Sequence, residues 1–336
     1  MIISSPIAAE VFLEEVNEEA DSGPDFELRQ VSMPVHSHGL RVDRALADMV
    51  PEFSRSYLQQ LIVAGAVHLN GIEVSKSSAR VKAGDSLTIE LKPTPQSQAF
   101  KPEAMALDVV FEDDYVLVLN KPAGLVVHPA PGNWSGTLLN GLLARDEKAC
   151  LLPRAGIVHR LDKDTSGLMV VARQRQVMDR LVSMIAERTV NRQYIALAHG
   201  VWTGSTTRNV SLPVGRDPRN RLRMAVVDLE KTAGKLAATD ITLLQNGTRH
   251  CLVKCKLHTG RTHQIRVHMA ALGHPLVSDD VYGGQPAGDL KRQALHACRL
   301  SFLHPITGVE MQFSVPPPAD ILAAIAAQGR RYNHKE

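Results

Sequence analysis

Between about residue 105 and residue 330, apolar segments of strand length follow one another with few helical stretches between them, and this order limits the fold more than any other feature of the chain. Strands are predicted at 107–111, 115–119, 167–172, 193–198, 238–244, 250–257 and 309–314, and helices at 137–145, 174–188, 264–272 and 319–327. A parallel pair needs a crossover of a dozen or more residues, usually a helix, whereas antiparallel strands can follow each other directly. The pattern therefore predicts an α+β domain built on a mainly antiparallel mixed sheet, not a doubly wound parallel one. With 336 residues, 44% of them hydrophobic, the chain can bury such a domain and a smaller module besides.

The smaller module precedes it. Residues 1–34 read as a disordered acidic arm: residues 1–38 hold Glu10, Glu14, Glu15, Glu18, Glu19, Asp21, Asp25 and Glu27 against Arg29 alone. The rest of the chain is thus more basic than the net charge of +3 suggests. Residues 35–92 form a compact unit. Val42, Leu46 and Met49 share one side of a first helix. Ser54 is placed to cap a second helix, which ends at Gly65. Asn70-Gly71 is a hairpin signal, and a last strand covers 86–91. Arg41, Arg44 and Arg55 near the helix starts are candidates for phosphate contacts. A polar, proline-bearing linker is expected over 93–104.

Several function classes lack support. Cys150, Cys251, Cys255 and Cys298 include no CxxC pair, and alternation along 250–257 turns Cys251 and Cys255 inward as small apolar residues. His263 and His268 are five apart, so on a helix they diverge by about 140°, and no metal site is expected. There is no P-loop, GxGxxG or GxSxG. The opening segment does not read as a signal peptide, and no apolar run approaches the roughly 20 residues of a membrane span. A cytoplasmic chain with no membrane association is the expectation.

Three segments carry chemistry: Asn120-Lys-Pro-Ala-Gly-Leu-Val-Val-His-Pro129, Gly156 to Arg173, and Leu257 to His268 running on to Gly284. In the second, polar residues 159–166 sit between two apolar runs, and a loop pinned between buried strands is a rigid mount. An Asp in a polar loop is more often a cap or turn residue than a nucleophile, and composition does not separate Asp162 from Asp164. The order of motifs does. His-Arg-Leu-Asp-x-x-Thr-Ser-Gly (159–167), Arg-Gln-Tyr (192–194) and Gly-Arg-Thr-His-Gln-Ile-Arg (260–266) resemble the RluA/RluD family of pseudouridine synthases. Asn120-Lys-Pro matches the family's opening motif, and Leu295-His-Ala297 with His304-Pro305 its closing region. The Arg-Ala-Gly-Ile-Val-His-Arg stretch (154–160), together with a front module that resembles the S4 domain, looks closest to the RluD subgroup. Val42 stands where the S4 family usually has Leu, and Asp240 where the synthases often carry an aromatic residue.

The resemblance implies that Asp162 is the nucleophile, Tyr194 the active-site tyrosine, and Arg266 the arginine paired with the nucleophile. It implies that Arg160 fills the stack when the target base leaves, and that His159, Thr165, Lys121 and Arg261 serve substrate or RNA. Asp164 falls on a variable position and is read as structural. These residue types suit the reaction. A retained carboxylate can attack C1′, or promote loss of the base through a neighbouring sugar proton, and the two routes remain open. Arginine keeps such a carboxylate ionised and aimed, and tyrosine gives the base an aromatic face and a hydroxyl. No cofactor is needed. The arginine-rich stretch 188–223, with Arg219, Arg221 and Arg223, is the expected phosphate-binding surface. The implied partner is a stem-loop of 23S large-subunit ribosomal RNA, as precursor or 50S particle, met by a monomer. Two other readings remain: a non-catalytic RNA-binding or ribosome-assembly factor, and a glycosidase, for which a second catalytic carboxylate is not evident.

Overall fold

The computed structural model describes residues 27–51, 55–91, 99–329 and 332. They fall into two compact units that divide between Gln96 and Ser97.

In the first unit, strands β1 (Glu27–Ser32), β2 (Val67–Leu69), β3 (Ile72–Glu73) and β4 (Ser86–Leu91) form an antiparallel sheet in the order β1-β4-β2-β3. Helices α1 (Val42–Met49) and α2 (Arg55–Val63) cover it. Strand β4 alternates, so Leu87, Ile89 and Leu91 turn inward to meet Val42, Leu46, Leu58 and Ile62. Asn70 and Gly71 both have positive φ (52° and 80°), as a two-residue type I′ hairpin turn requires. One expectation is corrected. Residues 27–32 of the supposed acidic arm form β1, an edge strand along β4. Leu28 on it is exposed and Val31 only half-buried, so the strand has almost no apolar signature. The cap assigned to Ser54 lies outside the described residues.

In the second unit a nine-stranded sheet, counted among the described residues, runs β5 (Val109–Glu112), β6 (Val116–Lys121), β7 (Ser166–Ala172), β15 (Leu295–Leu303), β8 (Asn191–His199), β14 (His250–Leu257), β13 (Thr239–Asn246), β9 (Thr207–Val210), with β16 (Glu310–Ser314) also on β15. All pairings are antiparallel except β7 with β15. The sheet is covered on both faces, and the side-chain period of two explains why its central strands read as unbroken apolar runs. On one face, Met169 and Val171 pack with Tyr194, Ala196, Ala198, Cys251 and Cys255, against α3 (Leu138–Arg145). On the other, Leu168 and Val170 meet Val177 and Leu181 of α4 (Arg175–Ala186), while Ile195 and Leu197 meet Ile321 and Ile325 of α6 (Ala319–Ala326).

A three-stranded sheet of β10 (Val214–Arg216), β11 (Met224–Val226) and β12 (Gly234–Lys235) stands beside α5 (Gln264–Ala271). Strand β15, at the centre of the large sheet, and the short strands β9 to β12 were not anticipated from the sequence. The linker expectation is also corrected. Residues 92–98 lie outside the described residues, but 99–103 are bound to the second unit. Asn140 Nδ2 donates to the Lys101 carbonyl (2.8 Å), Gly136 N–H to Glu103 Oε2 (2.9 Å), and Ala99 is buried.

Candidate active site

The loop from His159 to Thr165 enters β7, and nearly every residue of it is fixed from outside. Lys121 has no solvent exposure, and its ammonium donates to the carbonyls of Pro122 (2.8 Å), Leu125 (2.8 Å) and Lys163 (2.9 Å). Burial lowers its pKa to about 8, opposed by Asp164 and Asp162, so it remains charged at neutral pH. All three N–H groups are consumed, so Lys121 cannot serve RNA as the sequence suggested. It is a clamp that ties the Pro-Ala-Gly turn to the Asp162 loop. Arg292, chelated by Asp320 (2.7 and 2.8 Å), donates to the Asp164 carbonyl (2.9 Å). Gln293 Nε2 donates to Thr165 Oγ1 (3.2 Å), and Ser166 Oγ pairs with His296 Nδ1 (2.9 Å). Gly167 follows with φ +118°, and a Cβ there would lie 2.2 Å from the Ala297 carbonyl oxygen, so only glycine lets β7 approach β15 this closely.

Asp162 projects from this frame with its side chain 16% exposed. Arg266, in the first turn of α5, places Nη1 3.4 Å from Asp162 Oδ2. Its stronger partner is Asp279, which accepts from Nε (2.8 Å) and Nη2 (2.9 Å) and is itself buried. Burial opposes the charge on Arg266, but Asp279 outweighs it and holds the guanidinium above its ordinary range. The fork is thus locked by Asp279, and its remaining arm faces Asp162. On the other side, His263 Nε2 lies 3.9 Å from Asp162 Oδ1. His263 Nδ1 shares a hydrogen bond with the Tyr282 hydroxyl (2.8 Å), to which Met224 N–H also donates (3.0 Å), and this holds the imidazole in place beside Asp162. Asp279 and Tyr282 were missed as partners. Their signal was the run Val-Ser-Asp-Asp-Val-Tyr-Gly-Gly (277–284), whose acidic residues stand in an otherwise uncharged stretch.

Asp162, His263 and Arg266 line a cavity of about 920 Å³, which also takes in Tyr194, His159, Arg160, Thr165 and Arg261. Tyr194 is 4% exposed, and burial pushes its pKa up to about 12, so it is a neutral phenol at neutral pH. Arg160 and Arg261 are exposed at the rim. His159 accepts from Val170 N–H at Nε2 (3.0 Å), which puts its proton on Nδ1. Thr165 is buried, with its hydroxyl bound by Gln293. The other histidines of the third segment are held in the scaffold: His258 by Asp240 (2.6 Å), and His268 by Thr239 and the Leu212 carbonyl (both 2.9 Å). Asp240, where the family often has an aromatic residue, also binds Asn209 (2.7 Å).

The cations proposed for phosphate contact are not all alike. Arg219, Arg221 and Arg223 lie on the turn between β10 and β11, outside the residues that line the cavity. Arg219 and Arg221 are exposed, but Arg223 is paired with Asp217 (2.7 Å). In the first unit, Arg44 is exposed, whereas Arg41 and Arg55 both grip the buried carboxylate of Asp43 (3.1 and 2.9 Å) and keep about half their surface in solvent.

A largely shielded carboxylate aimed by a locked guanidinium, with a neutral tyrosine in the same cavity, is a site for covalent or proton-transfer chemistry. Residues 115–271 match the family model of RNA pseudouridylate synthases, and residues 40–87 match that of the S4 domain. The chain belongs to the RNA pseudouridylate synthase family and is an enzyme of that class, with an S4 domain in front. Its relatives include three proteins named ribosomal large subunit pseudouridine synthase D. That of Neisseria meningitidis serogroup B is 48% identical over 87% of this chain and 79% of its own length. That of Xanthomonas campestris pv. campestris is 44% identical over 90% and 93%, and that of Escherichia coli O6:H1 42% identical over 85% and 90%. The solved structure of human RNA pseudouridylate synthase domain containing 1 superposes with a TM-score of 0.51 at 28% identity, covering 65% of this chain and 86% of that one.

Proposed function

We propose that this chain converts uridines to pseudouridine in large-subunit ribosomal RNA, the substrate class in its relatives' names, with Asp162 as nucleophile acting on a flipped-out nucleotide. The observation that carries the proposal is the Asp162 carboxylate, mostly withdrawn from water and 3.4 Å from a guanidinium fixed by Asp279. The reaction breaks N1–C1′ and joins C5 to C1′. The C5 proton is lost and N1 gains one, so the change is an isomerisation that requires no external reagent. Asp162 either bonds to C1′ and is later displaced, or drives loss of the base through the sugar proton. The detached base must be held in the cavity while it turns.

Tyr194 faces the base. With its pKa near 12 it offers a ring face and a hydroxyl donor, not a resting base. A uridine within a stem-loop reaches this cavity only by leaving its stack, at a cost of a few kcal/mol. Arg160, exposed at the rim, offsets part of that cost by occupying the vacated place. Arg261 at the rim, with exposed Arg219 and Arg221, takes phosphates of the substrate RNA, and the exposed faces of Arg41, Arg44 and Arg55 give the first unit its own phosphate contacts. The deciding experiment maps pseudouridine across large-subunit RNA from cells with the wild-type chain, with Asp162→Asn, and with neither. The expected result is loss of the same modified positions in the latter two. Sites that persist with Asp162→Asn would remove the carboxylate from the reaction.

A further inference from the structure

Arg192 is the one arginine lining the cavity that, among the described residues, is both buried and without a counter-ion. Arg154, Arg160, Arg188 and Arg261 on the same cavity are exposed to water, and Arg266 is chelated by Asp279. Arg192 is 5% exposed, and its Nε and Nη2 have no hydrogen-bond partner. Those two N–H groups form the edge of the fork that binds an oxyanion bidentately. A buried charge without a partner costs several kcal/mol, and buried polar groups are otherwise almost always satisfied. The protein makes room for the fork all the same. A Cβ on Gly260 would stand 2.9 Å from Arg192 Nη1, and Gly260 does not have a positive φ that would otherwise explain it. A side chain at position 260 would push the tip of Arg192 from this place.

Two further features indicate what the fork awaits. Arg192 and Tyr194 alternate onto the same face of β8, about 7 Å apart along the strand. That span reaches from a base to the backbone of its own nucleotide. Beside them, His159 is a neutral donor whose Nδ1 is buried and unpartnered; burial, and then the charge of Arg192, drive its pKa down to about 3. A phosphate supplies both the counter-charge and the paired acceptor oxygens that the fork lacks. We propose that Arg192 forms a buried phosphate subsite that grips the backbone of the extruded nucleotide, setting its ribose against Asp162. This rests on the pseudouridine synthase reading above and adds the group that positions the substrate.

The test is equilibrium binding of an in vitro transcribed large-subunit rRNA to the full chain across a salt series. The chain carries Asp162→Asn to prevent turnover, alone or with Arg192→Gln or Arg192→Lys. Arg192→Gln is expected to bind roughly tenfold or more weakly, and to flatten the slope of log K against log salt by about 0.7–0.9, one phosphate's worth of counterions. Arg192→Lys should keep the slope, since it keeps the charge, and lose affinity with the fork. A folded Arg192→Gln chain with an unchanged slope overturns the proposal, including the case where affinity falls, because that result assigns a neutral partner. Should Arg192→Gln not fold, a Lys variant that binds as tightly as the parent overturns it. The function is read separately, from pseudouridine formed in the same transcript by the chain with Asp162 and Arg192 intact. Its absence would remove the proposed activity and leave the salt slopes to decide Arg192.

Discussion

Single residues set the precision of this site, and most of them act from behind it. Asp279 has no contact with Asp162 but holds the fork that does. Asp279→Asn is expected to cost about 3–5 kcal/mol, as removal of one member of a buried ion pair does, and to lower kcat more than tenfold through loss of aim. Denaturant unfolding and single-turnover rates measure the two effects. Lys121→Met removes the ammonium donor from the Pro122 and Leu125 carbonyls and leaves that of Lys163 with the Gly124 N–H alone. It should destabilise the second unit by on the order of 3 kcal/mol and reduce kcat, with little change in the salt dependence of RNA binding, which separates a clamp from a phosphate contact. The motif string pointed to Asp162, Tyr194 and Arg266. It did not reveal that Lys121 faces inward, because a lysine beside a turn carries no mark of burial. Nor did it reveal Asp279, because an ion pair across thirteen residues leaves no local period.

Elements were legible where burial was one-sided. Strand β4 alternates because only one face is covered, and α1 and α2 show apolar spacing for the same reason. Strand β15 was illegible. In Leu-His-Ala-Cys-Arg-Leu-Ser-Phe-Leu (295–303), buried polar His296 interrupts any period, since its place is fixed by Ser166 and not by hydrophobicity. Gly167→Ala puts a methyl group 2.2 Å from the Ala297 carbonyl at φ +118°. A loss of more than about 3 kcal/mol is expected in urea unfolding. In the front unit, burial works against the charge on Asp43, but hydrogen bonds from Arg41, Gln59 and Arg55 prevail and hold its pKa well below the ordinary carboxylate range. The unfolded chain therefore takes up the proton first as pH falls. The stability this carboxylate contributes is full above about pH 4 and is lost as pH drops through the lowered folded value. Acid titration of the full chain should show an early loss in this unit, and Asp43→Asn should abolish that dependence at a cost in stability at neutral pH.

For the molecule as a whole, charge is distributed more unevenly than its total implies. Eight of the 35 acidic residues but only one of the 38 basic ones lie in residues 1–38, so the remainder carries 37 positive against 27 negative side chains. Removing residues 1–26 takes away negative charge and no positive charge. The shortened chain is expected to bind rRNA severalfold more tightly at low ionic strength, with the difference fading as the Debye length shortens. Filter binding at two salt concentrations checks this. The division into a small module and a sheet-rich unit could be read from the sequence because composition changes at the proline-bearing stretch.

The parallel junction of β7 with β15 has a further consequence, in time. Strand β7 and the groups that back the Asp162 loop (Arg292, Gln293 and His296) are separated by about 130 positions of chain. During synthesis Asp162 therefore emerges long before its support, and distant pairings close last. A nascent polypeptide halted before residue 290 would hold the Asp162 carboxylate on an unbraced loop. Activity is then expected only after residues 292–296 have been made and have paired with the Asp162 loop.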